Sequence, residues 1–306
     1  MVNQARKRLR RTFAQMFPGS LLLSFNTELL NHALRDRVQR CNGVDTVPEG
    51  TRQLGEKMCV PFGKILANEL VPNTVTKRLE AEKEFTPDLR NFVIREYSGY
   101  SNLTNQVRTI KSFRRPVILV DDLMHNGYRI ERLDPILKQE QLDVDRIIVG
   151  IMSAQGRDRM QAQGWKAECE YFVPNASYWQ TESLLYPFIG GDSVKTNRKT
   201  EMLPTVNLVL PYQYPQFFTD VSERAIYEMS KTVLQNAMEI LRVLEKEHLA
   251  TFGKTLTLKR LGEAIVRPRM PDRGGHLEYN LNVAASCYVA DDYNALCRTH
   301  RREPGE

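Results

Sequence analysis

The chain has 306 residues, 42% apolar and 26% charged, which is room for one large domain or two and excludes a wholly disordered protein. The 43 Lys and Arg against 37 Asp and Glu leave a net charge of +6, a solubility-level excess that does not point to nucleic acid. The five cysteines (Cys41, Cys59, Cys169, Cys287, Cys297) form no CxxC pair and no zinc spacing. No segment has the length and apolarity of a membrane span or a signal peptide, so a cytoplasmic protein with reduced thiols and no membrane partner is expected.

Three parts are expected in chain order: a basic N-terminal segment over 1–19, an α/β domain over 20–200 and a mostly helical C-terminal subdomain over 201–306. ARKRLRR (Ala5 to Arg11) and RTHRR (Arg298 to Arg302) read as solvated, frayed ends. SLLLSF from Ser20 reads as a strand. TELLNHALRDRVQR reads as a helix, with Leu29, Leu30, Ala33, Leu34 and Val38 at helical spacing and Gly43 as its stop. EKMCVPFG is a short element ending in a turn, KILANEL a helix closed by Pro72, and NTVTKRL a strand. The polar stretch from Glu80 to Thr109, with FVIREY as an extended piece inside it, suits a mobile lid. VILVDD, RIERLDPILKQE, DRIIVGIM, GRDRMQAQG and AECEYFV then read strand, helix, strand, helix, strand.

Such alternation predicts an α/β fold with a mainly parallel sheet and helices on both faces. Continuous apolar runs such as VILV and IIVGI agree, since both faces of such strands are covered. Beyond Pro174 the texture becomes aromatic and glycine-containing. YPFIGGDSV (Tyr186 to Val194) suits core aromatics or a wall on which Trp179 or Phe188 stacks against a base. Asp220 to Leu249 is a long helix with a homodimer contact as its secondary reading, RPRMPDRGG (Arg267 to Gly275) a surface loop, and Asp291-Asp292 a helix start.

The chemistry concentrates in RRPVILVDDLMHNGYRI (Arg114 to Ile130). Ligands of parallel sheets bind outside the carboxyl ends of the strands, where Asp121 and Asp122 stand. Two carboxylates there suit vicinal hydroxyls or a divalent metal. The glycine turn at Gly127 before a helix suits an anion nest. Capping of the next helix is the secondary reading of the acids, since it needs only one of them. CVPFGK suits an ordinary turn as well as a ligand loop.

The apolar strand, acid pair and small loop with glycine resemble the type I phosphoribosyltransferase signature over VILVDDLMHNGYR, within a resemblance spanning roughly residues 20–175. That resemblance implies a ligand, phosphoribosyl pyrophosphate or a nucleotide. Asp121 and Asp122 would hold the ribose, and Leu123, Met124, His125, Asn126, Gly127, Tyr128 and Arg129 the 5-phosphate. It further implies a pyrophosphate loop at Pro61, Phe62, Gly63 and Lys64, basic support from Lys77 and Arg78, and Mg²⁺ bridging pyrophosphate and sugar hydroxyls near Asp121 and Asp122. Where the family has threonines beside the glycine, this chain has His125, Asn126, Tyr128 and Arg129. Two readings therefore stand: an enzyme transferring a phosphoribosyl group to or from a base, and a non-catalytic module that senses the same ligand.

Overall fold

In the computed structural model the described residues are 1–66, 69–86, 91–97, 99–190, 192–194, 204–213, 218, 220–261, 267–268 and 279–300. In chain order the elements are α1 (Val2–Met16), α2 (Thr27–Cys41), β1 (Met58–Pro61), β2 (Val75–Thr76), β3 (Ala81–Phe85), β4 (Phe92–Glu96) and α3 (Leu103–Lys111). Then come β5 (Val117–Met124), α4 (Tyr128–Gln139), β6 (Val144–Met152), α5 (Ala154–Ala162) and β7 (Ala167–Phe172). The chain closes with β8 (Asp192–Val194), β9 (Pro204–Val206), α6 (Glu223–Phe252), α7 (Leu258–Leu261), β10 (Arg267–Pro268) and α8 (Ala285–His300). They form two compact units. One comprises residues 24–83 and 93–179, the other 1–23, 84–92 and 180–306.

The first unit is the expected α/β fold. Its sheet has the order β2-β1-β5-β6-β7, and every pairing in it is parallel. Val117 to Val120 are fully buried at its centre, because a strand with neighbours on both sides and helices on both faces exposes neither. Asn26 caps α2 by accepting from the N–H groups of Glu28 and Leu29. Leu30, Leu34 and Val38, four residues apart, then pack on Ile118, Val120 and Ile148. The expected α4, β6, α5 and β7 all form, and β5 holds its pairing with β6 as far as Met124. The acid pair therefore lies in the ladder itself and not in the turn beyond it.

Several local expectations are corrected here. Ser20 to Phe25 forms no strand: Leu21 is 85% exposed, and no sheet edge takes up its backbone. The helix expected over KILANEL is absent among the described residues. Gly63 to Leu66 bend and turn, Leu66 has a left-handed backbone (φ 51°), and residues 67–68 lie outside the described ones. The expected lid contains β3, β4 and α3, its residues 87–90 and 98 being outside the described ones. The strand expected over NTVTKRL shrinks to two residues.

The second unit differs most from the sequence expectation. The basic N-terminal segment is no frayed end: α1 buries Ala5, Leu9, Thr12 and Met16 against α6 and turns Lys7, Arg10 and Arg11 outward. Asn236 of α6 donates to the Ala5 carbonyl (3.0 Å) and accepts from Arg8 Nε (2.8 Å), which fixes α1 at one register. The segment thus belongs with residues 180–306 and does not stand apart from them. The 30-residue α6 is capped by Ser222, closed by Gly253 and about 45 Å long at 1.5 Å per residue. It also packs on α8, which runs on to His300 and holds Asp291 and Asp292 in its interior, not at its start. A small mixed sheet, which the sequence did not announce, accompanies the helices: β9 runs parallel to β10 and antiparallel to β8, and Glu84 and Phe85 of β3 pair in parallel with Ser193 and Val194 of β8. Phe188 is fully buried beside Tyr279 (5.4 Å between ring centroids), so it is a core aromatic. Residues 269–275 of the arginine-rich loop lie outside the described ones.

Candidate functional site

The acid pair, the Gly63 bend and the Gly127 turn all belong to the first unit, and the parallel ladder brings them together. β1 pairs with β5 in a register that sets Pro61 beside Val120, and the ladder continues as Phe62 N–H donates to the Val120 carbonyl (2.9 Å). The next residue, Gly63, therefore arrives at Asp121. A β-carbon on Gly63 would stand 1.8 Å from Asp121 Oδ1 and 2.9 Å from Arg129 Nη1. Only glycine lets the bend come this near the acids.

Arg129 closes on the pair. Its Nη1 donates to Oδ1 of both carboxylates, at 2.6 Å from Asp122 and in direct contact with Asp121. Adjacent strand residues ordinarily point to opposite faces, yet here both converge on one nitrogen. Local bonds help: Asp122 N–H donates to Asp121 Oδ1 (2.8 Å) and Leu123 N–H to Asp122 Oδ1 (3.0 Å). Arg129 sits in the first turn of α4, where a cation opposes the helix dipole, and the two carboxylates offset that cost.

The two acids titrate differently. Burial pushes Asp121, only 2% exposed, well above the ordinary carboxylate range, and the charge of Asp122 adds to this against the pull of Arg129. Burial also pushes Asp122 upward, but the Arg129 charge and the hydrogen bonds from Asp121, Arg129 and Leu123 outweigh it and bring this carboxyl down to about 2. Asp122 is thus the stronger acid of the pair, and Arg129 stands between it and the weaker Asp121.

The turn that follows is held from a second strand-to-helix junction. Gly127 takes φ 71° and serves as the N-cap of α4 without any side-chain cap bond. A β-carbon there would meet Arg159 Cδ at 2.8 Å. Arg159 in turn pairs with Glu131 of α4. His125 Nδ1 shares a hydrogen bond with Ser153 Oγ (2.8 Å), which also caps α5 by accepting from Gly156 N–H (3.1 Å). Asn126 Oδ1 accepts from Gln155 Nε2 (3.2 Å). Ser153, Gln155 and Arg159 were missed by the sequence reading, although SAQG straight after a strand is a cap signal of its own.

The remaining expected residues divide by exposure. Pro61, Phe62 and Met124 are buried in the ladder and serve packing; Leu123 is half-buried. Lys64, Lys77 and Tyr128 are exposed. Arg78 turns inward instead: it donates to the carbonyls of Gly63 and Ile65 (3.5 Å for the latter) and pairs with Glu80 at 3.3 Å, bracing the bend. Trp179 is 40% exposed, with its ring 6.2 Å from Phe25.

A divalent ion held by the two acids does not fit this arrangement, because the guanidinium already bridges them and supplies the positive charge. Among the described residues no group of three or more His, Cys, Asp or Glu side chains is placed to hold a metal ion, and no helix is long and apolar enough to cross a membrane.

No family model matches the chain, and no curated protein is similar to it. Solved structures similar to it include the AQ2163 protein from Aquifex aeolicus, 16% identical with a TM-score of 0.31, covering 55% of this chain and 82% of that one. An adenine phosphoribosyltransferase from Thermoanaerobacter pseudethanolicus is 12% identical with a TM-score of 0.27 over 48% of this chain and 83% of its own. A hypoxanthine-guanine phosphoribosyltransferase from Bacillus anthracis is 9% identical with a TM-score of 0.27 over 49% and 80%. These likenesses are distant. The α/β fold stands on the strand order and pairing of this chain.

Proposed function

We propose that the chain is a ligand-sensing module that binds a phosphoribosyl compound or nucleotide at the carboxyl end of β5 and does not transfer the phosphoribosyl group. The ligand class follows from the acid pair, the glycine turn and the resemblance that VILVDDLMHNGYR carries. The observation that favours sensing over catalysis is Arg129 bridging Asp121 and Asp122. Transfer requires negative charge near the anomeric carbon as positive charge develops there, and a guanidinium held against both acids offsets theirs.

The catalytic reading keeps one observation in its favour: both acids, the Gly63 bend and the Gly127 turn meet in one place. Titration calorimetry with phosphoribosyl pyrophosphate on the wild type and on Asp121→Asn/Asp122→Asn, with a pyrophosphate-release assay over a panel of bases, separates the two. Sensing predicts binding in the wild type, weaker binding in the variant and no pyrophosphate release. Release that depends on a base establishes the enzyme instead. A wild type that binds neither this compound nor a nucleotide overturns both.

A further inference from the structure

Resting on that ligand reading, we infer that Arg129 takes the place of a divalent cation at this site, so that the phosphorylated sugar is bound without metal. Three observations carry the inference. The guanidinium is shared between Oδ1 of Asp121 and Oδ1 of Asp122, the place of an ion ligated by both acids. It is also fixed in place: Arg129 lies two residues beyond the Gly127 turn, in the first turn of a 12-residue helix, and one of its two acids is almost wholly buried.

The third observation is space. Gly63 packs so tightly on the pair that its missing β-carbon would lie 1.8 Å from Asp121 Oδ1. Mg²⁺ requires about 2.0–2.1 Å to each of six oxygens and keeps several waters, and in the wild type the guanidinium already stands against the two Oδ1 atoms that would ligate it. The carbonyl of the same Gly63 accepts from Arg78, so a second guanidinium braces the wall facing Arg129. A guanidinium fixed beside a braced glycine bend suits phosphate oxygens, which Arg binds through a planar fork.

The test is calorimetry of the wild-type chain with phosphoribosyl pyrophosphate in excess chelator and in excess Mg²⁺, with ribose 5-phosphate as a second probe. The inference expects affinities within about threefold of each other in the two buffers, less than 1 kcal/mol by the usual conversion. It also expects Arg129→Met to lose binding in chelator by more than about tenfold, while Mg²⁺ added alone raises the melting temperature of that variant and leaves the wild type unchanged. Binding by the wild type only in Mg²⁺ overturns the inference and leaves the ligand reading standing. Absence of binding in both buffers removes the ligand reading and the inference with it. Should the Met variant fail to fold, the wild-type comparison alone decides.

Discussion

The carboxylate of Asp121 occupies the place a side chain at Gly63 would need, at 1.8 Å from where a β-carbon would stand. Two strands that neighbour each other only through the parallel ladder thus share one packed junction. Gly63→Ala forces Asp121 or the bend to move, and Asp121 is tied to Arg129 as well. Overpacking of this kind costs about 1–3 kcal/mol. The variant is expected to melt several degrees lower in calorimetry and to lose ligand affinity.

Removing the cation alone is expected to cost more than removing the whole triad. Arg129→Met strands two adjacent, largely buried carboxyls, and breaking a buried pair on one side costs about 3–5 kcal/mol. Asp121→Asn/Asp122→Asn/Arg129→Met leaves no unpaired charge and recovers most of that loss. Urea denaturation of the three proteins measures the difference. Simple additivity among the substitutions contradicts a coupled triad.

How far this site was legible in the sequence follows from which contacts are local. VILVDD, the helix after Gly127 and the strand DRIIVGIM were readable because each is set by its own hydrophobic period and caps. The grip of Arg129 was readable only as residue type: that position suggested a phosphate ligand, and nothing in the spacing said that it folds back on acids seven and eight residues earlier. Arg78 likewise stood beside Lys77 as an equal, and only the β1 to β2 pairing separates an inward side chain from an outward one. In α1 the cations concealed Ala5, Leu9, Thr12 and Met16, a four-three-four spacing that was present in the letters and outvoted by charge.

The pH dependence of stability has two opposite limbs. Asp122, lowered to about 2 from an ordinary 3.8, contributes stability that is present above the unfolded value and lost as pH falls toward about 2. Asp121 is raised, so its contribution is complete below the ordinary carboxylate value and is lost as pH rises through its folded value. The groups facing them are Arg129 and each other. Denaturation across the acid range is expected to show Asp122→Asn lacking the low-pH fall. Asp121→Asn is expected to lack the decline that sets in above the ordinary carboxylate value. A wild-type curve that shows no decline above the ordinary carboxylate value and is unchanged by Asp121→Asn contradicts the upward shift of Asp121.

Lys77 and Arg78 are neighbours in sequence with different work to do. Lys77 is exposed, so Lys77→Ala is expected to change stability by no more than about 0.5 kcal/mol and to weaken binding of an anionic ligand through lost charge. That weakening shrinks as salt is raised, because an exposed charge is screened within about 10 Å at 0.1 M. Arg78 holds the carbonyls of Gly63 and Ile65, so Arg78→Ala leaves two acceptors without their donor and frees the bend that abuts Asp121. It is expected to lower the melting temperature and to weaken binding to a degree that salt does not restore. Calorimetry at two ionic strengths distinguishes the two residues. Equal salt sensitivity in both variants means that Arg78 meets the ligand directly and does not act through the loop.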